Sequence, residues 1–455
     1  MLSQNAKPKP VTPKKPVLFI TYAIKNELRI YNKPNGKPVN TVLMGTYLCV
    51  TDQTIFLGKK WLEVFTYGNP GWVQEAETSK ERHLKVFFID VGQGDGALLE
   101  VGNKTMLLDG GPAKGANVKR YLYWQYGPII RSGKKVHIDY VFISHFDEDH
   151  YGGLINIIAD SNFTFDTIYV AGIGKFQKEK RETLLGDRSG NLLTTYFDDL
   201  ADLQNKFSVD GQKVFTDFIN AIIKAKSEGR LSNDIKRLFV ESPDKPEFVF
   251  PSSNQINNLP FNIQVLGPIL KTQNGIKGYE YLKDESHTIN GHSLVLKVTY
   301  GKRSFMFGGD LNTQSENELL QFYKNNLKIF EVDVAKSCHH GASEFTEDFM
   351  KELNPHATVI SSGDNEKYSH PRADAIGCAG KYSKNKRPLV FSTELSRSSN
   401  VVTDEIQYGM INLRSNGELI YMAQKKEANN RKDPWDSYGP LGVAINSLNF
   451  YFVVY

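Results

Sequence analysis

The stretch SHFDEDHYGG, residues 144–153, brings His145, Asp147, Asp149 and His150 together in one short loop. Imidazole and carboxylate groups at this density are the donor set that suits Zn, Mn or Fe. On the residues alone two readings stand: a metal site, or a solvated acidic turn, since Asp and Glu are common in loops. The flanking sequence says how such a cluster would be held. Tyr140-Val141-Phe142-Ile143 reads as a short buried strand, and Gly152-Gly153 followed by Leu154, Ile155, Ile157 and Ile158 reads as the entry to a helix. The cluster therefore sits on a strand-to-helix loop, and in open α/β sheets such loops gather outside the strand ends where ligands bind.

Composition bounds the function. The chain has 455 residues, enough for two or three domains, and 55 basic against 51 acidic residues leave a net charge of +4. That charge permits a nucleic-acid partner without demanding one. Cys49, Cys338 and Cys378 are widely spaced, odd in number and form no CxxC pair. A disulfide framework is not expected, and a reducing, cytoplasmic location fits. The start, MLSQNAKPKPVTPKKPVLFITYAIKNE, places lysines before a brief apolar run and so imitates a signal peptide. The run holds Thr21 and Tyr22 and passes directly into charged strand-like sequence, so residues 1–16 read as a disordered Lys/Pro tail. No stretch approaches the ~20 apolar residues needed to span a bilayer.

Residues 17–78 are rich in short alternating runs broken by NKPNGKP and YGNPGW. The segments ELRIYNKPNGKPVNTVLMGTYLCV, KKWLEVF and PGWVQ resemble a bacterial SH3-like domain. The resemblance implies a small β-barrel that binds a protein or peptide partner. Trp61 and Trp72 read as core or rim aromatics within it.

From residue 84 the motifs FIDVGQGDGALLE, LLDGG, FISHFDEDHYGGL, SLVLKVTYGKRSFMFGGD and AKSCHHGAS follow one another. In order and spacing they resemble the metallo-β-lactamase-fold hydrolases, and specifically the soluble hydrolase domain of the DNA-uptake protein ComEC. The resemblance covers residues 84–425, interrupted by an insertion at about 161–260. It implies an α+β chain: an αββα sandwich of two facing sheets with helices outside, preceded by the small barrel. It implies a divalent metal, Zn or Mn, as one or two ions. The implied ligands are His145, Asp147, Asp149, His150 and Asp310, the last bridging two ions, with one of His339 and His340 completing the second site.

The pattern also departs from the general fold. The usual HxHxDH becomes HxDxDH, with Asp147 in place of the middle histidine, as in the ComEC-like branch. Where many members carry a further histidine, the sequence reads HTINGHSLVLKV, with Asn290 three residues before Ser293. His287 or His292 could supply the imidazole, and His292 reads equally well as a packing residue. The first metal position is thus poor in nitrogen, which shifts the expectation toward Mn or an exchangeable ion. Lys336 matches the lysine before HHG and would hold a phosphate oxygen as a point charge. His370, before Pro371 in VISSGDNEKYSHPRADAI, is either a substrate contact or acid, or a helix-capping residue. The expected catalytic set is Asp149, Lys336, His370 and Asn290. Asp90, Asp95 and Asp109 are expected to orient the ligands rather than to bind metal, and Cys338 reads as a small buried residue.

In the insertion, GKFQKEKRETLLGDRSG is a charged, exposed run that could touch a polyanion. Phe215, Phe218, Ile219, Ile222 and Ile223 define one face of a helix, read either as an arm packed beside the site or as a lid. YGMINLRSNGELIYMA reads as a hairpin, and the apolar tail, residues 426–455, is expected to dock on the hydrolase domain. The leading functional reading is a phosphodiesterase or nuclease that uses a metal-bound hydroxide on a phosphodiester, nucleic acid included. The alternatives are a hydrolase of a lactone, thioester or small phosphoester, and a weakly active partner-recruiting protein.

Overall fold

The computed structural model describes residues 15–67, 69–177, 179–207, 210–250, 253–363, 368–394, 410–426 and 430–442. Its centre is a pair of facing sheets. One has nine strands in the order Ile235–Arg237, Phe163–Val170, Val136–Ile143, Lys104–Leu108, Ala97–Val101, Leu84–Phe88, Ile411–Ser415, Ile420–Lys425 and Trp435–Tyr438. The other has eight strands, running from Glu247–Phe248 through Leu259–Gly267, Val295–Tyr300, Arg303–Phe307, Val334–Lys336 and Ala357–Ile360 to Leu389–Ser392, with Gln255–Ile256 paired at its side.

Alternation of side chains along each strand builds the layers. Leu84, Val86 and Phe88, with Leu99, Val101, Met106 and Leu108, face Phe261, Ile263, Val265, Leu296, Val298 and Phe305 across the space between the sheets. The residues of the other parity, Phe87, Leu98 and Leu107, face outward into a second core with the helices. Each of these side chains contributes about 1.5–3 kcal/mol on burial. A slip by one residue would exchange the two faces, so the register is firmly specified.

Helices α1 (Asn117–Arg131) and α2 (Glu148–Ile158) cover the nine-stranded sheet through Val118, Leu122, Leu154, Ile157 and Ile158. Two more helices, α3 (Leu200–Phe207) and α4 (Lys213–Ser227), join that outer layer. A short helix, α5 (Glu285–Gly291), precedes the strand Val295–Tyr300. On the opposite side, α6 (Thr313–Phe322) and α7 (Glu347–Leu353) bury Leu319, Phe349 and Leu353, and α8 (Ala373–Lys381) lies against the strand Leu389–Ser392. The order is αββα, as the motifs imply.

Within 161–260 the strands Phe163–Val170, Ile235–Arg237 and Glu247–Phe248 belong to the two sheets, so the extra material is the segment between them. Phe215, Phe218, Ile219 and Ile222 of α4 are fully buried and Ile223 partly so, and Phe215 and Phe218 make ring contacts with Phe146 at 5.0 and 5.2 Å. The helix is a buttress beneath the HxDxDH loop. A lid would need that face free to leave, and its side chains are core.

The N-terminal strands, from Phe19 to Ser79, form a seven-stranded antiparallel sheet around Leu28, Ile30, Val42, Leu48, Val50, Leu62, Val64 and Val73. Trp61 is buried and meets the edge of Tyr31 at 5.8 Å. This sheet rests on the sandwich: Tyr67 stacks on Trp124 of α1 at 5.2 Å, and buried Arg414 donates to Met44 O at 3.1 Å. The chain returns in the hairpin Ile411–Ser415 to Ile420–Lys425 and adds Trp435–Tyr438 as an edge strand. Residues 1–14, most of the expected tail, and 443–455, the end of the apolar segment, lie outside the described residues.

Candidate metal centre

The site forms where strands of both sheets end. Asp109 follows Lys104–Leu108, His145 follows Val136–Ile143, Asp310 follows Arg303–Phe307, and His340 follows Val334–Lys336. Four buried side chains converge there: Asp95, His150, Asp310 and His340 each offer a donor atom, all within 4.8 Å of one another. His150 Nε2 lies 3.3 Å from Asp310 Oδ1 and 3.3 Å from His340 Nε2, and His340 Nε2 lies 3.1 Å from Asp310 Oδ2. Asp149 borders the group, with Oδ2 3.4 Å from His340 Nε2.

Backbone geometry serves this convergence. His339 and His340 have φ of 47° and 55°, and Asp109 has 54°. Non-glycine residues pay strain in that left-handed region, and such strain persists where the surroundings enforce it, commonly at functional sites. At Gly94 (φ 126°) a Cβ would stand 2.2 Å from Asp149 O, so only glycine lets the GQGD turn deliver Asp95 against the metal loop.

Hydrogen bonds then fix the imidazoles. Ser144 Oγ donates to Asp109 Oδ2 at 2.7 Å and Ser293 Oγ donates to Asn290 O at 2.7 Å, so both hydroxyls can only accept from His145 Nδ1, at 3.1 and 3.2 Å. The proton of His145 is therefore on Nδ1, and the Nε2 lone pair faces the site. His150 Nδ1 is 3.0 Å from Asp109 Oδ2, and His340 Nδ1 donates to Ser361 O at 3.0 Å. Both leave Nε2 directed at Asp310. Carboxylates behind or beside imidazoles are the usual means of orienting metal ligands.

Charge confirms what the cluster wants. Burial opposes charge on His150 and His340, yet Asp310 and Asp149 hold both well above the usual imidazole range. Burial likewise opposes ionisation of Asp310, and His150 and His340 nevertheless hold it well below the carboxylate range. His145, by contrast, is pushed down to about 4 by burial, with His150 adding to the effect. The carboxylates draw positive charge into a buried space, and a divalent cation would supply it while displacing protons. Asp310 Oδ1 and Asp95 Oδ1 are buried without a hydrogen-bond partner, which costs free energy unless something else meets them. Those orphaned oxygens, and the imidazole nitrogens whose protons a cation would displace, fit a divalent metal ion.

The structure brings together His145, Asp147, Asp149, His150, Asp310 and His340. His339 stands at the rim, its Nε2 3.9 Å from Asp310 Oδ2, and His340 occupies the inner position. Asn290 lies beside Asp147, and Lys336 is buried in an ion pair with Asp95 while also donating to Gly309 O at 3.3 Å. The His370 ring stands 5.9 and 6.3 Å from those of His339 and His340. His292 and His287 take no part: His292 Nε2 donates to Glu280 O at 2.7 Å, and His287 lies between Asp284 and Glu344. Cys338 is half-buried rather than buried as expected, and desolvation pushes its thiol well above the usual range, where little of the nucleophilic thiolate forms.

Asp109 orients His150, as the sequence suggests, whereas Asp90 accepts from Gly92 N in its own turn. Asp95 differs from expectation and stands among the donor atoms themselves. The sequence reading missed Ser144, Ser293 and Lys175. Lys175 is ion-paired with Asp147, and its neighbours Gly174 and Phe176 are buried, so the run GKFQKEKR begins inside the molecule. A lysine in a charged run carries no signal of its own for such a contact.

Residues 89–204 match the Metallo-beta-lactamase superfamily. With the donor cluster, this defines a ComEC-like metallo-β-lactamase fold built around a candidate metal site. Among characterised proteins the chain is similar to ComE operon protein 3 of Bacillus subtilis (strain 168), 34% identical over 95 residues, 21% of this chain and 12% of that one. It is also similar to Competence protein ComA of Neisseria gonorrhoeae, 35% identical over 83 residues, 18% of this chain and 12% of that one. The matched stretch is thus a small part of each relative. The metallo-beta-lactamase fold protein YhfI from Bacillus subtilis aligns over 69% of this chain and 98% of its own, at 14% identity and a TM-score of 0.32.

Proposed function

We propose that the chain is a metal-dependent phosphodiesterase or nuclease. The observation that carries this reading is Lys336, a buried ammonium set between Asp95 and Gly309 O at the edge of the donor cluster. A lysine kept charged in a metal site suits an anionic phosphate better than a neutral ester. Similarity to a competence protein supports a nucleic-acid substrate. The donor set, two imidazoles with carboxylates, suits Mn or Zn, and its oxygen content favours Mn.

When bound, a divalent ion would lower the pKa of a coordinated water toward neutrality and polarise a phosphoryl oxygen. His150, His340, Asp149 and Asp310 would hold it, with Asp95 beside them. The chain's remaining groups orient and stabilise. Asp109 and Ser361 lock the two inner imidazoles, and Ser293 Oγ accepts from Asp310 N at 3.0 Å, fixing that carboxylate. Lys336 would stabilise charge that grows on the phosphoryl oxygens in the transition state. His370, whose Nδ1 accepts from Gln93 Nε2 at 3.4 Å, would carry its proton on Nε2 and donate a hydrogen bond from there to a substrate oxygen.

The three cysteines are free, which supports the cytoplasmic reading. The expected SH3-like role remains a proposal: Ile55 and Leu57, 76% and 77% exposed, offer an apolar hairpin tip to a protein partner.

The test is the Mn-loaded chain and Lys336→Ala assayed on bis(p-nitrophenyl) phosphate and on p-nitrophenyl acetate. Loss of one transition-state donor typically costs about a hundred- to a thousand-fold. That loss is expected on the diester, with little change on the neutral ester. Equal losses on both would favour the lactone or thioester hydrolase. No turnover of either by the metal-loaded chain would favour the partner-recruiting protein.

A further inference from the structure

The two sides of the centre differ in what they lack. On the His150 side, Asp95 Oδ1 and Asp310 Oδ1 are buried without a hydrogen-bond partner, facing only the His340 and His150 rings at 3.5 and 3.3 Å. On the His145 side, the carboxylate is already met at both oxygens. Asp147 Oδ1 is ion-paired with Lys175 Nζ. With its amide turned to satisfy both ends, Asn290 donates to Asp147 Oδ2 at 2.9 Å. His145 Nε2, 3.8 Å from Asp147 Oδ2, is the open donor left on this side, and a lone imidazole holds a divalent ion poorly.

Lys175 is held firmly in place. It leaves the strand Phe163–Val170 through a loop whose next residue, Phe176, is fully buried and stacks on Phe207 at 4.3 Å. Its carbonyl accepts from Gln212 N at 3.0 Å, at the start of α4. The inserted segment thus clamps Lys175 from both sides of the backbone. An ammonium there is a compact cation with three donors, able to satisfy Asp147 and still present N–H groups outward.

We propose that the Lys175 ammonium stands where a second metal ion would otherwise lie, so that the chain works with one divalent ion, on the His150–His340 side. Two divalent ions about 3.5–4 Å apart need a bridging carboxylate and full ligand sets to offset their repulsion. Here Asp147 is committed to Lys175 and Asn290 instead. The second positive charge facing a phosphate is then a fixed part of the chain and does not depend on metal supply. This rests on the reading of the donor cluster as a metal centre.

The experiment is metal stoichiometry. The chain is stripped with chelator, loaded with Mn(II), freed of excess by gel filtration, and analysed by elemental analysis and Mn(II) electron paramagnetic resonance. Wild type is expected to hold one ion per chain with an uncoupled spectrum. Lys175→Ala, which frees Asp147 to pair with His145, is expected to take a second ion and to show exchange coupling. Lys175→Arg should remain at one. Circular dichroism melts establish that each variant folds. Two ions in wild type, or one in both wild type and Lys175→Ala, would overturn the role of Lys175. No ion in any folded variant would instead overturn the metal-centre reading beneath it.

Discussion

The Asp109 carboxylate lies 3.0 Å from His150 Nδ1, while the opposite nitrogen of the same ring lies 3.3 Å from Asp310 Oδ1. One imidazole thus links a strand-end aspartate, in a left-handed conformation, to the carboxylate at the heart of the cluster. Asp109→Asn keeps the shape and removes the charge that favours Nδ1–H. Metal affinity should fall by about 10–100-fold, as for other groups that orient ligands. Competition titration with a fluorescent chelator reads this directly, and an unchanged affinity would mean that His150 needs no orienting partner.

Phe146, between His145 and Asp147, touches Phe215 and Phe218 of α4. Phe215→Ala should destabilise the protein by about 3–5 kcal/mol, the usual range for deleting a buried phenyl ring. The variant should also bind metal less tightly, because the loop carrying four of the expected donors loses its support. Urea unfolding gives the first quantity. A change within about 0.5 kcal/mol would be that of a surface arm.

Glu316 on α6 is buried and accepts from Thr346 N at 2.5 Å. Burial raises its carboxyl from 4.5 to about 8. A folded-state value above the unfolded one contributes stability that is fully present below pH 4.5 and is lost as pH rises through about 8. Between those values the contribution declines by up to ~1.4 kcal/mol per pH unit. Urea midpoints at pH 5 and pH 8 should therefore fall further in wild type than in Glu316→Gln, which keeps the acceptor and cannot ionise. Parallel changes in the two proteins would show that Glu316 ionises normally.

The parts of the fold that follow local rules are legible in the chain. The apolar spacing of Phe215, Phe218, Ile219 and Ile222 gives α4, and the apolar run ending at Ile143 gives the strand that presents His145. Choosing between His339 and His340 was beyond any spacing argument, because both adopt left-handed φ and the turn alone decides which ring points inward. Asp95 reads as a supporting residue until the Gly94 turn is seen to pack on Asp149 O, to which Asp95 N donates at 3.2 Å. Lys175 and Asp147 are 28 residues apart on neighbouring strand ends, a contact set by the parallel pairing of Val136–Ile143 with Phe163–Val170.

The central claim is that the buried cluster around Asp310 holds a divalent metal ion. Asp310 Oδ1 is buried without a hydrogen-bond partner, and the carboxylate faces both inner imidazoles. The most direct measurement is the metal content of wild type and Asp310→Asn, each loaded with Mn(II) and freed of excess, with melting curves to establish folding. The account predicts bound Mn in wild type, and a folded Asp310→Asn that retains none or loses it on brief dialysis. Equal metal content in the two folded proteins would contradict it.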